Sequence, residues 1–292
     1  MVAFLFLAPP LFLLAPLALL LLFSGPKTVR EWLWISLAIA GSSKLLAEAS
    51  TAGLTSRLIG AVGLLAAAGF VVACHALPRA STVTRALIVI GAAGIGLAVW
   101  VGWFSLDLRA VDAAVTVQIR GSIDRWLVGA PGEQVAATVA SADSVARLFL
   151  GLIGLQALLG LGLAWHWYHR IAARPLPPAP NPWSGFRFND HFIWGAIFTL
   201  AAALVPLGEP AARIANNALV VWVGLYAVRG LAVAQTAATS WPLPGKLLLL
   251  AFAILALPIA FGTLVTLGLA DTWLDFRNRP VPAGGNDGSH SS

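Results

Sequence analysis

Lys44 and Glu48 stand four residues apart, after Gly41-Ser42-Ser43, in a stretch that is otherwise apolar. On a helix this spacing puts an ammonium and a carboxylate on one face, where they can pair with each other or hold a charged ligand. Ionisable groups are costly in hydrocarbon and mark ligand sites there, although near the end of a span they also snorkel to water. Asn216 and Asn217 sit early in a later apolar segment. Their amides can line a polar cavity or bond to neighbouring helices. Arg229 falls near the far end of that segment, beside Gly230. A guanidinium there must pair or reach the interface, because leaving it bare in hydrocarbon costs on the order of 3 kcal/mol. Lys44, Glu48, Asn216, Asn217 and Arg229 are therefore the candidate ligand-binding residues.

Other residues carry weaker chemistry. His166 and His169 share a helix face, and with His191 they could hold a metal. Trp165, Trp167 and Tyr168 surround them, which gives an aromatic anchor at a membrane interface, and that is the reading adopted. No metal or cofactor is expected. Cys74-His75 reads as a buried thiol beside an interfacial imidazole, and a single cysteine excludes an intrachain disulfide. The chain has no G-x-x-x-x-G-K-[ST], no H-E-x-x-H and no G-x-S-x-G, so no enzyme is expected.

The elements that position these residues are membrane helices. The 292 residues are 59% hydrophobic and 10% charged, with mean hydropathy +0.86. A soluble domain carries about a quarter charged residues to cover its surface. The apolar residues run in blocks of about twenty, enough to span about 30 Å of hydrocarbon as a helix. They do not alternate as barrel strands would. The net charge of +6 is spread singly between blocks, with no basic stripe, so no nucleic-acid partner is expected. The partner is the lipid bilayer. The fold class is an all-α polytopic bundle of about eight spans: 2–23, 32–52, 57–77, 84–104, 145–168, 192–207, 211–234 and 246–270. Pro9, Pro10 and Pro16 should kink the first; Pro258 should divide the last into two half-helices. Gly63/Ala67 and Ala92/Gly96 have the spacing of close helix contacts.

Residues 1–279 read as one polytopic domain. Within it, 105–144 is an extracytoplasmic amphipathic segment, with Val111, Val115, Ile119, Ile123 and Trp126 on one helix face and Arg109, Asp112, Thr116 and Arg120 on the other. Pro131-Gly132 should stop that helix. Residues 171–187 form a Pro-rich linker holding Arg174 and Arg187, and 280–292 a disordered tail. The linker's positive charge places it in the cytoplasm, with both termini outside. Arg229 then reaches the cytoplasmic interface, by plain snorkelling or paired with Glu31 or Asp190, while Asp271 and Asp275 lie on the opposite side.

Three stretches carry a family resemblance: LGLADTWLDFRNR at 267–279, RFNDHFIW at 187–194 and YAVRGLA at 226–232. The chain resembles the YybS-like family of bacterial membrane proteins of unknown function, over roughly residues 100–279. It lacks the Pro that family has in the second stretch, and Arg229 stands where Gln is more usual. The family is in turn similar in layout to the substrate-capture subunits of energy-coupling-factor vitamin transporters. Those have six helices and small-residue docking motifs in the first; here the first span is Leu- and Pro-rich. The resemblance implies a carrier or substrate-capture subunit for a small solute in the bacterial cytoplasmic membrane, energised by a partner protein. The alternative is a non-transporting protein that organises an envelope assembly. Capture would place its site between the late helices, and a closed polar cavity near mid-membrane would favour it.

Overall fold

The computed structural model describes residues 8–103, 108–126, 142, 144–206 and 208–276. Expectations at 2–7, for the Pro131-Gly132 stop, for the Ile123 and Trp126 side chains and for the 277–292 tail lie outside the described residues. The described chain is all-helical, with no strand. Its α-helices are α1 Leu11–Phe23, α2 Val29–Thr51, α3 Leu54–Ala76, α4 Thr82–Trp103, α5 Leu108–Trp126, α6 Phe149–Ile171, α7 Phe192–Leu204, α8 Glu209–Ala237, α9 Leu243–Leu255 and α10 Leu257–Leu274. Five of them, α3, α4, α6, α8 and α10, are long and apolar enough to cross a membrane, and α1, α7 and α9 are shorter apolar helices. These eight are compatible with about eight spans, with a changed membership. The charge-bearing α2 is not among them, and the expected span at 246–270 is two helices. The break falls at Ala256 because Pro258 opens α10 and has no N–H to continue α9.

Two compact units divide the chain: Met1–Asn181 with Trp194–Trp222, and Pro182–Ile193 with Val223–Ser292. In the first unit, α1 packs against α2, α3 and α6. It is apolar on every side, and Leu11, Phe12, Leu17, Leu20 and Leu21 are all buried, as befits a helix with neighbours all round. Pro16 sits inside α1, which continues through it. Proline has no N–H to give the carbonyl four residues back, that of Phe12. At that carbonyl α6 presents Gly160, where a methyl would lie 2.6 Å from the oxygen. Gly63 of α3 meets Leu11 and Phe12 in the same close manner, and Ala67 is fully buried. The Gly63/Ala67 contact is therefore present. Gly96 is different: nothing lies within 4 Å of where its Cβ would be, so that pair faces outward.

The amphipathic helix α5 buries Val111 and Val115 against Leu58 and Ala146, with Ile119, Leu97 and Phe149 packed on them. Its apolar face lies on the bundle, as its periodicity requires.

The linker after α6 has no helix until a 3₁₀ turn at Trp183–Gly185, yet its first part is tied down. The Ala173 N–H donates to Glu31 Oε1 (2.8 Å), the Leu176 N–H to the Tyr168 hydroxyl (3.0 Å) and Arg85 Nη2 to the Pro177 carbonyl (3.3 Å). Glu31 also closes the cap of α2, its Oε2 accepting from the Lys27 and Thr28 N–H groups and the Thr28 hydroxyl, each at 2.8 Å.

Candidate functional site

In the first unit a cavity of about 320 Å³ opens among Asp112, Arg147, Leu148, Glu209, Ala212, Arg213 and Asn216. Three elements build it. Helix α5 lies with its apolar face on the bundle, and Asp112 follows the buried Val111. Arg147 and Leu148 lead into α6, and Glu209 to Asn216 form the first turns of α8. The cavity thus sits at helix ends rather than midway along them. Arg213 grips Asp112 in a two-pronged pair, Nη1 to Oδ2 at 2.8 Å and Nη2 to Oδ1 at 2.5 Å. Both side chains are largely buried, at 11% and 24% exposed, which is the setting where such a fork is most rigid.

Asn217 holds this corner together. Its Oδ1 accepts the Gly151 N–H at 2.6 Å, one of the first-turn donors that α6 cannot satisfy internally. Its Nδ2 donates to the carbonyls of Arg147 and Arg213, each at 2.9 Å. Gly151 lets α8 come close, since a methyl there would lie 2.4 Å from the Asn217 carbonyl. The two asparagines therefore divide the roles open to them: Asn216 lines the cavity and Asn217 bonds across helices.

Arg229 belongs to the second unit, and here the structure corrects the sequence. Its side chain is fully buried, so it does not snorkel. Nη1 donates to Asp190 Oδ1 at 2.8 Å, as one expectation had it, but Nε donates to Asp271 Oδ2 at 2.9 Å and Nη2 to the Asp271 carbonyl at 3.1 Å. The Phe188 ring lies 5.3 Å from the guanidinium carbon. Arg187 pairs with Asp275 nearby. Asp190 just precedes α7 and Asp271 ends α10, so the connector and the end of the last helix lie at the same end of this unit. The expectation that Asp271 and Asp275 are on the opposite side is overturned. With α9 and α10 separate, four helices stand between Asp190 and Asp271. Glu31, the other expected partner, is spent on its own cap and Ala173.

Lys44 and Glu48 pair with each other at 3.9 Å, with side chains 78% and 61% exposed, and neither lines the cavity. His169 is engaged through both ring nitrogens, with the Trp165 carbonyl at 3.0 Å and the Leu176 carbonyl at 2.9 Å. Among the described residues no three His, Cys, Asp or Glu side chains gather as a metal site.

Sequence reasoning reached Asn216, Asn217 and Arg229 but missed Asp112, Arg147, Glu209 and Arg213 as one cluster. The signal was available in part: Arg213 precedes Asn217 by one helical turn. It also missed Arg85, which is fully buried and pairs with no carboxylate among the described residues. Arg85 donates to the Leu77, Pro78 and Pro177 carbonyls at 2.9, 2.7 and 3.3 Å and lies 5.4 Å from the Trp165 ring centre.

An all-helical chain with five helices long and apolar enough to cross a bilayer is a polytopic membrane protein. Residues 142–272 match the family model described as "Predicted membrane protein (DUF2232)", and over that stretch the chain is similar to this family. The matched stretch holds Arg147, Glu209, Arg213, Asn216, Asn217, Arg229 and Asp271; Lys44, Glu48 and Asp112 lie outside it. No curated protein and no solved structure matches the chain.

Proposed function

We propose that the protein is a solute-capture protein of the bacterial cytoplasmic membrane that takes a small molecule into the cavity between α5 and the first turns of α6 and α8. The observation that carries this reading is the cavity itself. Its volume of about 320 Å³ is at the small end of ligand pockets, and its wall mixes charged and amide groups with Leu148 and Ala212. The resemblance to the YybS-like family and, through it, to transporter capture subunits is in keeping. The positive-inside rule puts the 169–191 connection in the cytoplasm and the cavity on the outer side. The sequence has no nucleotide-binding motif, so onward transport would draw energy from a partner protein, and the chain itself would catalyse no reaction.

The test is solute retention. Purified protein in lipid nanodiscs is incubated with a small-molecule extract of bacterial cells, washed, and its bound solutes read by mass spectrometry. One solute should be enriched on the wild-type chain and lost from Ala212→Trp, which fills the cavity, while the two proteins keep similar unfolding temperatures. Equal retention by both would sink the capture reading. The alternative, an organiser of an envelope assembly, draws on α9, which has no buried residue and offers an uncovered apolar surface. An organiser has no need of a retained solute.

A further inference from the structure

The charges of the cavity are not equivalent. Asp112 and Arg213 neutralise each other in their fork. Arg147 and Glu209 remain, and neither side chain forms an ion pair or hydrogen bond with another described residue, nor do they pair with each other, although both line one cavity. Both residues are exposed, so each charge is open to an incoming solute. Arg213 Nε is buried out of reach of solvent and has no hydrogen-bond partner among the described residues, so it takes no part in the open side of the cavity. The first turns of α6 and α8 add positive potential from their backbone N–H groups, while Glu209 supplies a negative charge beside them.

We infer that the ligand is a small zwitterion, with its carboxylate taken by Arg147 and its ammonium taken by Glu209 and the Asn216 amide oxygen. Leu148 and Ala212 give it a short apolar wall. The volume of about 320 Å³ accommodates a single amino acid or a compact relative of one. This inference rests on the capture reading and names its substrate class. Arg147 supplies a planar pair of donors matched to a carboxylate, which an ammonium side chain would not. Glu209 is acceptor-only when ionised, so it selects a donor. A site with one free charge of each sign rejects an anion or a cation alone, because each leaves one protein charge without a counterpart.

The experiment is calorimetric titration of the full chain in nanodiscs with three matched probes: neutral α-amino acids, propionate and ethylamine. At least one amino acid should bind saturably, and propionate and ethylamine at least tenfold more weakly. Arg147→Gln and Glu209→Gln should each weaken amino-acid binding at least tenfold without moving the unfolding temperature. The double exchange R147E/E209R, which keeps one charge of each sign in the cavity, should recover part of the affinity. Propionate binding as tightly as the amino acid, with E209Q indifferent, would overturn the zwitterion and leave capture standing. Failure of every amino acid to bind would also overturn it. If the solute-retention experiment still shows a molecule lost from Ala212→Trp, the class is wrong and the capture reading survives; if that fails as well, both go.

Discussion

Glu31 accepts four hydrogen bonds and is buried, and its carboxyl is accordingly held down to about 2. The Ala173 N–H contributes most, then the Lys27 N–H, against burial, which pushes the other way. The group stands just ahead of the apolar stretch of α2, at the surface where pH acts. In an unfolded chain its pKa is about 4.3. The folded value is the lower one, so the stabilisation is fully present above about pH 4.3 and drains away as pH falls from there through about 2. Thermal unfolding followed by circular dichroism should therefore show a falling midpoint across that window, and Glu31→Gln should flatten the slope there while lowering the midpoint at neutral pH. An unchanged slope in the variant would disprove the role. At this scale the sequence was half legible. Thr28 and Glu31 have capping-box spacing, and Asn216 and Asn217 stood out as polar groups in an apolar run. The bond from Glu31 to Ala173 joins positions far apart in the chain, and no local pattern encodes it.

Helices α8 and α10 meet backbone to backbone. A Cβ at Gly230 would lie 1.8 Å from the Leu264 carbonyl, and one at Gly268 would lie 1.9 Å from that of Tyr226. Arg229 and Asp271 flank the crossing, so the approach of the helices and the buried ion pair depend on each other. Gly230→Ala or Gly268→Ala should cost about 1–3 kcal/mol or more through overpacking. Gly262→Ala, with nothing within 4 Å, should be neutral or slightly stabilising. Unfolding midpoints in detergent compare the three; a Gly268→Ala protein as stable as Gly262→Ala would show that the crossing is not tight. Element boundaries were readable where proline or glycine punctuates them, as at Pro258. Whether a small residue meets a helix or faces outward was not readable: Gly63 and Gly96 have the same neighbour spacing and opposite surroundings.

For the whole molecule, the joint hold of Arg229 on Asp190 and Asp271 makes a statement about sidedness. Both ends of the segment between them lie at one end of their unit, which implies one face of the membrane. With Cys74 replaced by Ser, single cysteines at Trp183 and Phe276 should react with a membrane-impermeant maleimide from the same side: both protected in intact cells and both labelled after permeabilisation, if the positive-inside rule holds for the linker. Labelling of one but not the other in intact cells would contradict the ion-pair geometry. The membrane class was plain from apolar block length, but the helix count was not, since 246–270 read as one span and is two helices. Nor was parity, because one broken span and two separate ones have the same composition and differ only in where the chain turns.

The Pro16 break in the hydrogen-bond ladder of α1 also bears on biogenesis. The helix is made early, with the Phe12 carbonyl lacking its usual donor, and Gly160 is synthesised well over a hundred residues later. At about 5–20 residues per second that interval is several seconds or more. A bare carbonyl in hydrocarbon costs several kcal/mol. What α6 brings is close cover rather than a donor, since a methyl at Gly160 would lie 2.6 Å from that oxygen, so until α6 is made the carbonyl faces whatever surrounds α1.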